Sequence, residues 1–108
     1  MTMLRVLMPA AILLLASAPP AGAGEVVVEQ KDKALSRSEV SLRSGDRIVF
    51  RNDDTVVHNV YSVSPGFEFE IKTQLPGQSA DERFSGQGEA EVRCAIHPQM
   101  KLKVKVEK

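Results

Sequence analysis

Seven residues near the C-terminus concentrate the soft-donor chemistry of this chain: Cys94-Ala95-Ile96-His97-Pro98-Gln99-Met100, a C-x2-H-x2-M run. It holds the only cysteine, one of the two histidines, and a methionine three residues beyond that histidine. Thiolate, imidazole and thioether on one short loop are donors that suit a soft metal ion. The second histidine, His58, lies well upstream, in a β-branched stretch. If two strand ends meet at one rim, His58, Cys94 and His97 surround a single ion and Met100 adds a weak axial contact. That is the donor set of a blue copper site. Zinc also takes Cys and His, but in a tetrahedral shell with little use for a thioether, so Met100 is the residue that separates the two metals.

Each residue also has an ordinary explanation. His58 could be a core or turn histidine, and His97, before a proline, a turn residue. Cys94 could be a small buried hydrophobe, and Met100 a core filler. All four explanations must hold together, although the chain has one cysteine and two histidines and all fall into one pattern. The joint coincidence is far less economical than one metal ion.

The elements that must position these donors begin after an expected leader. Met1 to Arg5 is short and basic, Val6 to Ala16 is almost wholly apolar, and Ala21-Gly22-Ala23 is a small-x-small cleavage signal. The apolar run is about eleven residues, well under the ~20 that span a bilayer. We expect residues 1–23 to be a secretory signal peptide and residues 24–108 to be one domain. With Arg5 removed from 14 basic residues, 13 face 14 acidic ones. That near-neutral balance argues against a nucleic-acid binder, which would want a basic stripe, and no membrane partner is expected once the leader is cleaved. One cysteine permits no internal disulfide, and a lone thiol outside the cytoplasm invites oxidation unless a metal commits it.

Residues 24–108 read as β throughout. Glu25–Glu29 is β-branched, while Gln30–Ser38 is polar and reads as a solvated loop. Glu39–Arg43 and Arg47–Arg51 alternate around a Ser44-Gly45-Asp46 turn, and Asn52-Asp53-Asp54 ends the second of them. Val56–Val63 carries His58 on one face with Val56 and Val60. Phe67–Ile71 alternates. Ser79–Phe84 reads as a weaker strand: Ala80-Asp81-Glu82-Arg83 could also start a helical turn, but the stretch is short and the Gly-rich Ser85-Gly86-Gln87-Gly88 follows it. Glu89–Cys94 alternates with Ala90, Val92 and Cys94 inward, and Lys101–Val106 is the strictest alternation of all. Its outward lysines are a solvated face that also discourages edge pairing. Seven to eight short strands with turn residues between them predict a small all-β Greek-key sandwich.

With these residues placed, the chain resembles the cupredoxins, and within them the amicyanin and plastocyanin group. The matching residues are Gly45-Asp46-x-Ile48-x-Phe50-x-Asn52-x-Asp54, then His58-Asn59-Val60, then Cys94-x2-His97-Pro98-x-Met100. The short C-x2-H-x2-M loop looks most like amicyanin. The stretch from His58 to Pro65 also looks like small cupredoxins of methylamine utilisation. The resemblance implies that His58, Cys94 and His97 form the equatorial triangle around one copper ion of type 1, with Met100 axial. It implies that Asn59 pins the two ligand-bearing segments by hydrogen bonds. It also implies that His97 is the electron portal within an apolar docking patch, for which Pro65, Pro76, Pro98 and Met100 are the candidates here. Pro98 removes a backbone donor near the thiolate, which tends to raise the reduction potential.

The expected function is a periplasmic one-electron carrier, a monomer and not an enzyme by itself, working between a donor and an acceptor redox protein. By family analogy these are a dehydrogenase and a c-type cytochrome. The competing expectations are a copper-delivery protein for a periplasmic oxidase or dehydrogenase, and an accessory domain in which the metal is incidental.

Overall fold

The computed structural model describes residues 24–108, and the expected leader with its cleavage point after Ala23 lies outside them. The strands are β1 (Glu25–Lys31), β2 (Ala34–Leu35), β3 (Glu39–Arg43), β4 (Arg47–Asn52), β5 (His58–Ser62), β6 (Phe69–Gln74), β7 (Ser79–Arg83), β8 (Gly88–Cys94) and β9 (Lys101–Glu107). Two sheets form, in the orders β2-β1-β4-β7 and β3-β9-β8-β5-β6. Among the described residues there is no helix, and so none long and apolar enough to cross a membrane. The protein is an all-β sandwich, with nine strands among the described residues rather than seven to eight.

The extra strand has a physical reason. The polar stretch after β1 folds back on it: Asp32 and Lys33 take left-handed φ of 53° and 56°, and Ala34 and Leu35 pair with Lys31 and Gln30. Two residues are too short to show any hydrophobic period. The weaker strand expected over Ser79–Phe84 is β7 as far as Arg83, at the edge of its sheet against β4. Glu82 faces partly inward, and burial lifts its carboxyl above the usual range. An inward-leaning charge on an edge strand blurs the alternation and also blunts edge-to-edge pairing.

The core is the meeting of the two inner faces. Val28, Ile48, Phe50 and Phe84 come from the first sheet and its flank, and Val40, Leu42, Val60, Ala90, Val92, Leu102, Val104 and Val106 from the second. Period-two alternation puts these on one side and the lysines of β9 on the other. Phe50 stacks on Phe69 at 6.1 Å, and Phe69 meets Phe84 edge-on at 5.7 Å, which locks β6 over the sandwich.

A second, polar cluster holds the end of the sandwich where β4 leads into β5. Asn52 is fully buried. Its Nδ2 donates to the carbonyls of Val56 and Gln74, both at 2.9 Å, and its Oδ1 accepts from the Asp54 N–H at 2.9 Å. This side chain fixes the turn that delivers His58. Asn52→Ala leaves these groups without a partner, so apo stability is expected to fall by about 2–3 kcal/mol. Thermal unfolding of the metal-free protein measures it, and a midpoint within a few degrees of wild type would refute the clamp.

Candidate metal centre

Three strand ends build the site. β5 opens with His58, β8 closes with Cys94, and Val60 pairs directly with Cys94, so the two donors are brought side by side. His58 pairs with Gln74 of β6, and the register slips between His58 and Val60. Such a bulge re-aims a side chain at the rim of a sheet. After Cys94 the chain turns and returns to β9. The Met100 N–H donates to the His97 carbonyl at 3.0 Å and closes the loop.

Inside this frame, three donor atoms converge. Nδ1 of His58 and Nδ1 of His97 are 3.2 Å apart, and Cys94 Sγ is 3.8 Å from each of them. His58 and Cys94 are buried and His97 is half-buried. The imidazole rings lie 4.8 Å apart at 55°. Met100 is packed inside the protein at 1% exposure. It is therefore not a surface residue, and its place in the expected docking patch is corrected: the tight return of the loop tucks its side chain inward. Asn59 Oδ1 accepts from the Ala95 N–H at 3.0 Å and lies 3.8 Å from Cys94 Sγ, bridging the start of β5 to the loop.

The expected patch residues separate. Pro98 adjoins His97. Pro76 lies in the turn after Gln74, the partner of His58, and so at the same rim. Pro65 follows the other end of β5, where the Ser64 hydroxyl accepts from the Glu91 N–H, and is not brought to His97. Three exposed apolar side chains that the sequence reading passed over sit at the site's rim by chain position: Val57 beside His58, Leu75 beside Gln74, and Ile96 beside His97. Solvent-facing apolar residues flanking ligand-type histidines are the signal that could have found them.

Asp54 was also passed over. Read as a turn former, it instead places Oδ2 2.9 Å from Nε2 of His58, on the side of the ring away from the converging donors.

No protein-family model matches the chain. It is 31% identical over 91 residues to amicyanin-alpha of Methylorubrum extorquens, covering 82% of this chain and 75% of that protein. It is 33% identical over 107 residues to the methylamine utilization protein MauL of the same organism, covering 97% of this chain and 94% of that protein. The chain belongs to the cupredoxins, close to amicyanin. A point mutant of amicyanin in its reduced Cu(I) form superposes on this cupredoxin with a TM-score of 0.72 at 25% identity, covering 83% of this chain and 92% of that one. The same sandwich recurs in the copper-containing nitrite reductase of Thermus scotoductus SA-01, at a TM-score of 0.72 and 20% identity. There it covers 78% of this chain but only 22% of the other, a likeness of fold alone.

The donor chemistry fits the family. Two imidazoles and one cysteine sulfur meeting within 4.8 Å of one another form a soft, nitrogen–sulfur set of the kind copper takes in a type 1 site. The cofactor of this cupredoxin is one copper ion.

Proposed function

We propose that this cupredoxin is a periplasmic one-electron carrier whose metal is held by His58, Cys94, His97 and Met100, with Asn59 pinning the two ligand-bearing segments. The observation that carries the proposal is the convergence of two Nδ1 atoms and one Sγ within 3.8 Å of each other at a rim. Bound there, copper supplies a Cu(II)/Cu(I) couple. The protein's part is to hold the donors still, so that little reorganises when the electron moves. Cys94 is anchored in the β5–β8 ladder and His58 in the β5–β6 ladder, while the Asn59 bridge fixes the loop between Cys94 and His97. Four protein donors leave no open position for a substrate, which supports a carrier rather than an enzyme.

His97 is the donor nearest to solvent, half-buried where His58 and Cys94 are buried. Around it we place the partner-docking patch: Ile96 and Pro98 on its own loop, with Val57, Leu75 and Pro76 at the facing turns. Pro65, at the other end of β5, is left outside. A small apolar patch suits brief encounters between redox proteins. By family analogy the donor is a dehydrogenase and the acceptor a c-type cytochrome, and the likeness to a protein named for methylamine utilization supports redox proteins as partners. A monomer is sufficient for this role.

The test is electrochemical. A reversible couple with fast electron self-exchange supports the carrier. Ready loss of copper to a metal-free partner protein instead would replace it by the delivery role. Full biological activity of copper-free protein would leave the metal incidental. Within the carrier reading, Ile96→Lys puts a charge beside His97 and is expected to slow electron self-exchange roughly tenfold while the visible spectrum stays unchanged. An unchanged exchange rate would remove Ile96 from the patch.

A further inference from the structure

Asp54 has more partners than a turn residue needs. Its Oδ2 accepts from the Lys33 N–H at 2.8 Å and meets Nε2 of His58 at 2.9 Å, and its Oδ1 accepts from the Thr55 N–H at 2.8 Å. Its own N–H is held by the buried Asn52. Both members of the pair with His58 are buried, at 7% side-chain exposure for Asp54 and none for His58. The Lys33 donor arrives from the β1–β2 turn, 21 residues away in sequence. There Asp32 and Lys33 both hold the left-handed conformation that non-glycine residues seldom adopt outside such tight hairpins. The turn thus presents a backbone N–H to the carboxylate.

An ionised carboxylate only accepts hydrogen bonds. Asp54 Oδ2 already accepts from the Lys33 N–H and its Oδ1 from the Thr55 N–H, so the carboxyl group meets His58 as an acceptor. The atom it faces on His58 must therefore carry the ring proton. A neutral imidazole has one N–H, so Nδ1 keeps its lone pair, and Nδ1 is the atom that points to Cys94 and His97. A carboxylate behind a ligand imidazole also makes that ligand more basic.

We propose that Asp54 is a positioning residue of the metal centre: through the Nε2–H···Oδ2 bond it fixes His58 with Nδ1 toward the metal, and it lays a fixed negative charge behind that ligand. This rests on His58 being a copper ligand. The charge favours the more highly charged, oxidised ion and so lowers the reduction potential. The β1–β2 turn belongs to the same device, because it holds the carboxylate in place.

The experiment has two arms. In the first, nitrogen NMR of the wild-type protein without metal reads the His58 ring directly. A pyrrole-type Nε2 and a pyridine-type Nδ1 are expected, and the proton on Nδ1 would overturn the proposal. This arm does not depend on copper, so it stands or falls apart from the carrier reading. In the second, Asp54→Asn keeps the size and an acceptor for the turn but removes the charge. The copper-loaded variant is expected to keep its intense colour, to bind copper about 10- to 100-fold more weakly, and to show a more positive reduction potential. If Asp54 only caps the turn, potential and affinity match wild type and only the thermal midpoint of the metal-free protein moves. That result would overturn the proposal. Should Asp54→Asn fail to fold, the wild-type NMR arm still decides it.

Discussion

Cys94→Ser is expected to yield a folded protein that stays colourless when Cu(II) is added. The intense blue of a type 1 site arises from charge transfer between the thiolate sulfur and the metal, and no other cysteine can replace Cys94. Serine offers a harder donor at a position built for a soft one. Copper affinity should fall by more than the ~100-fold that losing a mere supporting hydrogen bond costs. Folding should survive, because the substitution adds no bulk beside Val60 and the new hydroxyl has Asn59 Oδ1 close to where Sγ now lies, 3.8 Å from it. The expected cost is about 1 kcal/mol. Copper titration followed by visible absorption gives the first quantity, and thermal unfolding of the metal-free protein the second. A blue band that persists in Cys94→Ser would remove Cys94 from the ligand set. A variant that fails to fold would return it to the role of a core residue.

What could be read in the sequence was whatever carries a period or a rare residue type. β9 alternates over its length because one face is core and the other water, so Leu102, Val104 and Val106 identified themselves. Cys94, His58 and His97 were legible because soft donors are scarce in this chain. β2 was not legible, since two residues have no period. β7 was only weakly marked because Glu82 leans into an edge position that a hydrophobe would mark. Asp54 was hidden for another reason: an aspartate in Asn52-Asp53-Asp54 already has a local explanation as a turn former. Its tie to Lys33 exists only because β1 lies parallel to β4, which places Gln30 beside Asn52. The prolines expected to flank His97 divide. Pro76 and Pro98 lie at the rim, but Pro65 is separated from it by the length of β5, and no sequence pattern says at which end of a strand a turn will sit.

The core beneath the site should limit how well the metal-free protein survives. Phe50 is among the largest fully buried side chains, stacked on Phe69, and it lies on β4 two residues before Asn52. Removing a buried phenylalanine ring typically costs about 3–5 kcal/mol, the transfer of the ring plus the void it leaves. A domain the size of residues 24–108 has about 4–13 kcal/mol in total. Phe50→Ala is therefore expected to lower the melting midpoint of the apo protein by more than ~12 °C. Copper should offset part of the loss without touching the core, because a ligand that binds only the folded state adds about 2.7 kcal/mol at a hundredfold excess over its dissociation constant. The copper-loaded variant should thus regain its colour and several degrees of midpoint. Val27→Ala, on the exposed face of β1, should stay within about 0.5 kcal/mol of wild type. Calorimetry with and without copper checks all three quantities. If Phe50→Ala melts like Val27→Ala, the sandwich core does not run through Phe50. If copper fails to raise the midpoint of the Phe50→Ala protein, the site is not coupled to the fold that builds it.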